Sequence, residues 1–249
     1  MILAAVSSLE DQGIYSLAAN YGGLVARILF QPLEESSRNL FSTLLSRSET
    51  QGQSDTRIRI RTAKDHLVDI LRVYQLLSVL IFPLGPLVVP QILGLLGGHQ
   101  WSSPKVGHLL SIYCCYIPFL AFNGITEAFV ASAANPQEIG KQTAWMGVFS
   151  ACYALAAYLC LEVGSLGAYG LVLANMISMA VRTLWSFSFI RTYFRRNSSG
   201  LCPEEVCLQP VTYVLGAVAT MLMATQSLSA QSWGIMPAIA FAIIYGLLV

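Results

Sequence analysis

Charged side chains are scarce in this sequence. Of its 249 residues, 11% are charged and 55% are hydrophobic, whereas a soluble globular domain carries about 25% charged residues. A large soluble core could bury many apolar residues, but it would not need so many long apolar runs. The composition therefore predicts a membrane protein. The formal net charge of +1 also argues against a general nucleic-acid-binding surface, so we expect no nucleic-acid partner.

Signatures of catalysis and of metal binding are missing as well. The chain has three histidines and six cysteines, but no spacing among them matches a zinc site. It has no phosphate-binding glycine loop with its lysine, no HExxH pair and no nucleophile elbow. The loops on one side of the predicted membrane are short. They are nearly free of the carboxylates that a metal-dependent glycosyltransferase would use. We therefore predict a protein that is not an enzyme and that has no metal or cofactor.

Apolar stretches dominate what remains and predict an all-α, polytopic transmembrane bundle. The predicted spans cover residues 13–45, 68–89, 106–133, 139–161, 167–193, 210–229 and 234–249. Two polar segments, 46–64 and 194–209, are predicted to be exposed loops. Pro83, Pro86 and Pro90 are expected to break the exit of the second span. Because apolar runs also open and close the chain without flanking charges, we expect a piece of a longer protein.

Basic residues in the loops predict the orientation of these spans. One side of the membrane collects nine of them: Arg47, Arg57, Arg59, Arg61, Lys64, Lys141, Arg191, Arg195 and Arg196. The other side has only Lys105. Since loops rich in lysine and arginine stay on the cytosolic side, segments 46–64 and 194–209 are predicted to be cytosolic.

The first span is unusual because it carries several polar and charged residues. Residues 11–45 read DQGIYSLAANYGGLVARILFQPLEESSRNLFSTLL. At about 100° per residue, one narrow sector contains Asn20, Arg27, Gln31, Glu34 and Arg38, and Glu35 lies at its edge. Because ionisable groups in hydrocarbon are costly, this polar stripe must face protein or water. Pro32, which removes one backbone hydrogen bond, is expected to bend the helix within the stripe.

Two further polar groups lie inside predicted spans. Asn123 and Glu127 share a face of the third span, and Arg182 lies on a polar stripe of the fifth. They admit two interpretations. Glu127 and Arg182 could form a structural ion pair that locks two helices, or these groups could line a transport pathway. For the first span we favour function, because several charges on one face exceed what a single interhelical pair needs.

Three segments resemble those of one protein family. Residues 11–41, the run FNGITEAF and the run GLVLANMISMAVRTLWSFSFIRTYFRR are similar, in the same order and spacing, to segments of the Rft family. These are eukaryotic oligosaccharide translocation proteins of the endoplasmic reticulum membrane. Family members are about twice this length, so the chain resembles their C-terminal half, and the resemblance implies that the N-terminal half of the same protein is missing and is a partner of this one. The resemblance implies one lobe of a two-lobe fold shared with multidrug and toxin extruders and with bacterial lipid-linked precursor flippases.

The same resemblance implies a role in protein N-glycosylation. The family is linked to movement of a dolichol-diphosphate-linked oligomannose intermediate from the cytosolic to the lumenal leaflet, so the expected partners are that glycolipid and membrane lipid. The positions that match the family segments are Arg27, Gln31, Glu34, Glu35, Arg38, Asn123, Glu127 and Arg182. Guanidinium groups suit a diphosphate, and carboxylates and amides suit sugar hydroxyls.

Two alternatives remain open. In an ion-coupled small-molecule antiporter of the same fold, Glu34, Glu35 or Glu127 would be the proton site. A membrane scaffold that aids the glycosylation pathway would transport nothing itself.

Overall fold

The computed structural model describes residues 9–46, 53–96, 104–197, 200–228 and Tyr245. These ranges are helical almost throughout and contain no strand. The helices are α1 Leu9–Val25, α2 Gln31–Ser46, α3 Gln53–Leu96, α4 Pro104–Ala133, α5 Pro136–Tyr158, α6 Ala168–Arg196, α7 Pro203–Val206 and α8 Pro210–Leu228. Two five-residue π-helical segments, Ala26–Phe30 and Leu159–Val163, follow α1 and α5. Apart from Tyr245, the predicted span 234–249 lies outside the described residues.

Four helical stretches are long and apolar enough to cross a membrane. They are Asp55–Pro86, Val106–Ala133, Pro136–Val163 and Ala168–Arg196, which correspond to the second to fifth predicted spans. The chain is therefore an all-α, multi-pass bundle. Within the described part of the chain, neither the charged helix α1–α2 nor the apolar helix α8 is among these four stretches, so membrane crossing by these two helices stays a prediction.

Helix α4 lies at the centre of the bundle. In the most apolar 18 residues of α4, 67% of the residues are buried. The corresponding buried share is 22% for the stretch that contains α5 and 28% for α6. Helices α1, α2, α3 and α6 all pack against it. The ring of Phe129 on α4 lies 5.1 Å from that of Phe41 on α2 and 5.2 Å from that of Phe194 on α6. Helix α4 thus fixes where the stripe-bearing helix sits.

Helix α3 corrects our prediction of a loop at 46–64. The helix begins at Gln53, so most of that segment is helical. Ile60, Ala63, Leu67 and Leu71 are buried and recur every three or four positions, which is the pattern of an amphipathic helix. At 1.5 Å per residue its 44 residues span about 66 Å, roughly twice the 30 Å hydrocarbon core. The basic segment is therefore a helical extension of the second span.

The exit of α3 corrects a second prediction. The helix runs to Leu96 without a break at Pro83, Pro86 or Pro90. Each proline removes only one backbone hydrogen bond, and packed neighbours can compensate for that loss in a membrane bundle. Pro83 has such packed neighbours, because its side chain is fully buried.

The helix that carries the stripe leaves regular α geometry next to its proline. Ala26–Phe30 is π-helical and ends two residues before Pro32. Because Pro32 has no N–H group, the carbonyl of Ile28 lacks its usual partner, and a π turn is one way to adjust the backbone. Arg27 lies within this segment, so its side chain projects from a locally widened turn.

Candidate functional site

A cavity of about 390 Å³ lies between the stripe and helix α4. The π segment and α2 form one wall, α4 forms the other, and Tyr74 of α3 closes one side. The lining residues are Arg27, Phe30, Gln31, Glu34, Glu35, Arg38, Tyr74, Leu120, Ala121, Asn123, Gly124 and Glu127. Seven of the eight predicted site residues are therefore brought together, and only Arg182 is not part of the lining. We call this space the stripe cavity.

Buried side chains on the flank of the stripe hold it against the bundle. Phe30 and Phe41 are buried, and so is Ser37, whose hydroxyl donates a hydrogen bond to the carbonyl of Leu33 at 2.7 Å. The rings of Phe30 and Tyr74 lie 5.3 Å apart in an edge-to-face arrangement. These contacts turn the polar side of α2 toward α4.

Gly124 permits the close approach of the two walls. A Cβ atom on Gly124 would lie 2.6 Å from Oε2 of Glu34, a distance that real Cβ atoms do not adopt. The carboxylate of Glu34 therefore lies directly against the backbone of α4. Sequence reasoning missed Gly124, Phe30 and Tyr74; the only available signal for Gly124 was a glycine inside a helix beside Asn123.

Two polar contacts in the cavity run along the stripe itself. An Nη atom of Arg38 lies 2.8 Å from Oε1 of Glu34. Nε2 of Gln31 donates to Oε1 of Glu35 at 2.9 Å. Both pairs are four residues apart on one helix, a spacing that brings side chains together. They keep the stripe ordered without connecting it to another helix.

Glu127 and Arg182 form an ion pair between α4 and α6. Arg182 donates from Nε and from one Nη to the carboxylate, with three distances of 2.9, 2.7 and 3.0 Å. About a quarter of each side chain is exposed. The structural interpretation that we left open for these two residues is therefore realised in the geometry. Arg182 is directed at Glu127, which itself lines the stripe cavity.

Two polar groups in the stripe cavity have no partner. Among the described residues, the exposed side chain of Arg27 makes no hydrogen bond and no ion pair. Asn123 is 6% exposed, and its Oδ1 atom accepts no hydrogen bond. An unpaired buried acceptor costs about 1–3 kcal/mol, so Asn123 is suited to a donor supplied by a ligand or by water. Arg27 offers the complementary feature, a free planar fork of donors.

The charges of the site balance. The lining contains Arg27 and Arg38 against Glu34, Glu35 and Glu127, and the partner of Glu127 adds a third arginine. With three arginines and three glutamates, the site as a whole is neutral while it keeps Arg27 unpaired. Within the described ranges, no group of three His, Cys, Asp or Glu residues could hold a metal ion.

A polar, charged cavity formed between otherwise apolar helices is typical of membrane proteins that handle a polar cargo. Residues 1–249 match the model of the Rft protein family, and the chain belongs to that family. No solved structure matches it.

Curated relatives are each named Man(5)GlcNAc(2)-PP-dolichol translocation protein RFT1. The Saccharomyces cerevisiae protein is 36% identical over 195 residues, which cover 78% of this chain and 33% of the relative. The Candida glabrata protein is 37% identical, with 78% of this chain and 34% of the relative covered. The Mus musculus protein is 32% identical, with 79% and 36% covered. The chain thus spans about a third of the length of these relatives.

Proposed function

We propose that this chain is part of a translocator that moves a dolichol-diphosphate-linked oligomannose from the cytosolic to the lumenal leaflet of the endoplasmic reticulum membrane. The names of its relatives supply the substrate class. The observation that carries the proposal is the stripe cavity with its two unpaired groups, Arg27 and Asn123. Both are suited to the sugar-diphosphate head group.

Each lining group has a role that follows from its chemistry. Arg27 binds the diphosphate, because a guanidinium presents two parallel donors to phosphate oxygens. The free Oδ1 of Asn123 accepts a hydrogen bond from a sugar hydroxyl. Gln31, Glu34 and Glu35 extend the polar surface for further hydroxyls, and their local contacts with Arg38 and with each other hold them in place.

The Glu127–Arg182 pair has a supporting role in this proposal. It joins α4 to α6 beside the cavity and keeps a carboxylate from competing for Arg27. The opposite wall of the pathway comes from the rest of the longer protein. Two lobes then rock around the fixed cavity, with Pro32 of α2 and Pro118, which lies inside α4, as the bends.

The test is leaflet exchange of a fluorescent lipid-linked oligosaccharide in vesicles that contain the full-length protein. A charge-assisted hydrogen-bonding contact contributes about 1.5–3 kcal/mol, so Arg27→Ala should slow exchange roughly ten- to a hundredfold. Arg27→Lys should also be slow, because an ammonium cannot form the planar fork. Protein abundance should stay near normal, since Arg27 stabilises no described neighbour. Arg191→Ala, at an exposed position outside the cavity, is the matched control.

The other outcomes identify the alternatives. Exchange at the wild-type rate in both Arg27 variants would remove Arg27 from the site. Exchange that does not depend on the protein, together with poor glycosylation of a reporter after its loss, would indicate the scaffold. Proton-coupled flux of a small molecule that is lost in Glu34, Glu35 or Glu127 variants would indicate the antiporter.

A further inference from the structure

A second cavity lies on the other side of α3 and has a different character. It encloses about 610 Å³ between α3 and α8, with Phe122 of α4 at its base. Val79, Phe82 and Met221 are among its lining residues. Its volume falls within the range of about 300–1,000 Å³ typical of ligand sites. Ala217 and Met221 are exposed, so this groove opens on the outer surface of the described bundle. We call it the apolar groove.

The polar atoms around the apolar groove are already paired within the protein. The hydroxyl of Ser78 donates to the carbonyl of Tyr74 at 2.6 Å, and that of Thr220 donates to the carbonyl of Gly216 at 2.8 Å. The amide of Gln75 donates to the carbonyl of Val206 at 3.1 Å and accepts from the hydroxyl of Tyr213. A hydrocarbon ligand would therefore leave no polar group without a partner. In the stripe cavity, by contrast, Oδ1 of Asn123 and the guanidinium of Arg27 have no partner among the described residues, so a hydrocarbon ligand there would leave both unpaired.

Only one layer of aromatic rings separates the two spaces. Tyr74 lines the stripe cavity and its neighbour Gln75 lines the groove; Asn123 lines the cavity and its neighbour Phe122 lines the groove. The Tyr74 ring lies 5.3 Å from Phe30 on the cavity side and 6.1 Å from Phe122 on the groove side. The two spaces therefore lie on opposite faces of one layer of side chains, close enough for the head and the chain of one amphiphile.

We propose that the apolar groove binds the first part of the hydrocarbon chain of the lipid whose head group occupies the stripe cavity. The inference rests on the proposed function. In this proposal the protein itself holds the first part of the polyprenyl chain, at a site formed by α3 and α8. Bulk lipid then surrounds only the rest of the polyprenyl chain. Recognition then depends on both parts of the amphiphile, and a head group on a short chain binds more weakly.

Binding of two synthetic probes to the full-length protein in nanodiscs tests this site. Both carry a chitobiosyl-diphosphate head group; one has a long polyprenyl chain and the other a chain of two isoprene units. Ala217→Trp places an indole in the groove and should weaken binding of the long-chain probe by roughly tenfold or more, because each displaced CH₂ group forgoes favourable burial. The short-chain probe should lose much less. Val218→Trp, one position along α8 at a half-exposed site outside the groove, is the control and should bind both probes normally.

Labelling provides a second readout if the tryptophan variant does not fold. Met221→Cys puts a thiol in the groove at an exposed position. The long-chain probe should protect this thiol from a membrane-permeant maleimide, whereas the short-chain probe and phospholipid alone should not.

Failure of this inference is distinguishable from failure of the proposed function. If Arg27→Ala weakens binding of both probes while Ala217→Trp weakens neither, the head-group site stands and the groove proposal is wrong. If phospholipid alone protects Met221→Cys as well as the long-chain probe does, the groove holds bulk acyl chains and the proposal is likewise wrong. If neither variant affects either probe, both proposals are overturned.

Discussion

The three arginines around the stripe cavity differ in what surrounds them, and their surroundings predict different effects of substitution. Arg182 donates three hydrogen bonds to Glu127 on another helix, so its loss would leave Glu127 as an uncompensated charge. Arg38 has one partner on its own helix. Arg27 has none among the described residues. Removal of Arg27 should therefore affect function more than stability, and removal of Arg182 should affect stability first.

Gly124 provides a prediction at the scale of one methyl group. In Gly124→Ala the new Cβ atom would lie 2.6 Å from the Glu34 carboxylate. The carboxylate is the flexible end of its side chain, so we expect it to move away, at a cost below about 1 kcal/mol because Ala itself favours the helix. The displaced carboxylate then no longer holds its present position relative to the Arg38 guanidinium. Because a polar contact contributes roughly 1 kcal/mol, leaflet exchange should fall several-fold, while protein abundance should change little.

Gly147→Ala is the matched control for this substitution. Gly147 also lies inside an apolar helix, but a Cβ atom there would meet nothing within 4 Å. It should leave exchange unchanged and raise the thermal stability slightly, since replacing a helical glycine by alanine stabilises by about 0.4–1 kcal/mol. Equal exchange rates in the two alanine variants would show that the position of Glu34 does not matter for transport.

At the scale of elements, the helical extension of α3 is tied to the segment after α6 through a buried lysine. Lys64 is 9% exposed. Its Nζ atom donates to the carbonyl of Gly200 at 2.8 Å and lies 2.6 Å from Oε2 of Glu205. The hydrogen bond from Lys64 and a further one from the backbone N–H of Cys202 lower the pKa of Glu205 below its usual value of 4.5. Lys64 of α3 thus binds the segment that connects α6 to α8.

This contact predicts a dependence on pH with a definite sign. Because the pKa of Glu205 is lower in the folded protein, its contribution to stability is complete above the ordinary value of 4.5 and is lost as the pH falls through the lowered value. The side chain of Glu205 is 44% exposed, so we expect it to contribute only about 0.5–1 kcal/mol to stability. Proteolysis of the segment 200–206 in detergent should therefore stay slow from pH 7 to 4.5 and become faster below it.

Two variants check that Glu205 is the responsible group. Glu205→Gln should be cut faster at pH 7 and should lose the pH dependence below 4.5. Glu204→Gln, at the exposed neighbouring position, should behave as wild type. An unchanged pH profile in Glu205→Gln would assign the effect to another group.

At the scale of the whole molecule, the distribution of basic residues predicts that 194–209 is cytosolic. Cys202 and Cys207 are exposed and form no disulfide, whereas Cys114 is buried. In sealed microsomes, a full-length variant that keeps only Cys202 and Cys207 should react with a membrane-impermeant maleimide without permeabilisation. Ser165→Cys, in the exposed turn between α5 and α6 on the predicted lumenal side, should react only after permeabilisation. The reverse pattern would invert the topology.

The sequence alone determined the features that depend on neighbours along one helix. The angular positions of Gln31, Glu34 and Arg38 follow from 3.6 residues per turn, so this part of the stripe could be predicted. Arg27 lines the same cavity from the π segment, where that period does not hold. The second to fifth spans could be predicted for a similar reason, because long apolar stretches are stable in a bilayer only as helices. The start of α3 was missed because a polar surface concealed the regular spacing of Ile60, Ala63 and Leu67.

Only the tertiary structure decided which groups meet between helices. The sequence offered Glu127 and Arg182 as a possible pair, but their bonding, and the isolation of Arg27, depend on how α4 packs between α2 and α6. The apolar groove was not predicted at all, because its walls come from α3 and α8, whose lining residues lie more than a hundred positions apart in the chain. Packing distances and helix rotations set these contacts, and no local periodicity encodes them.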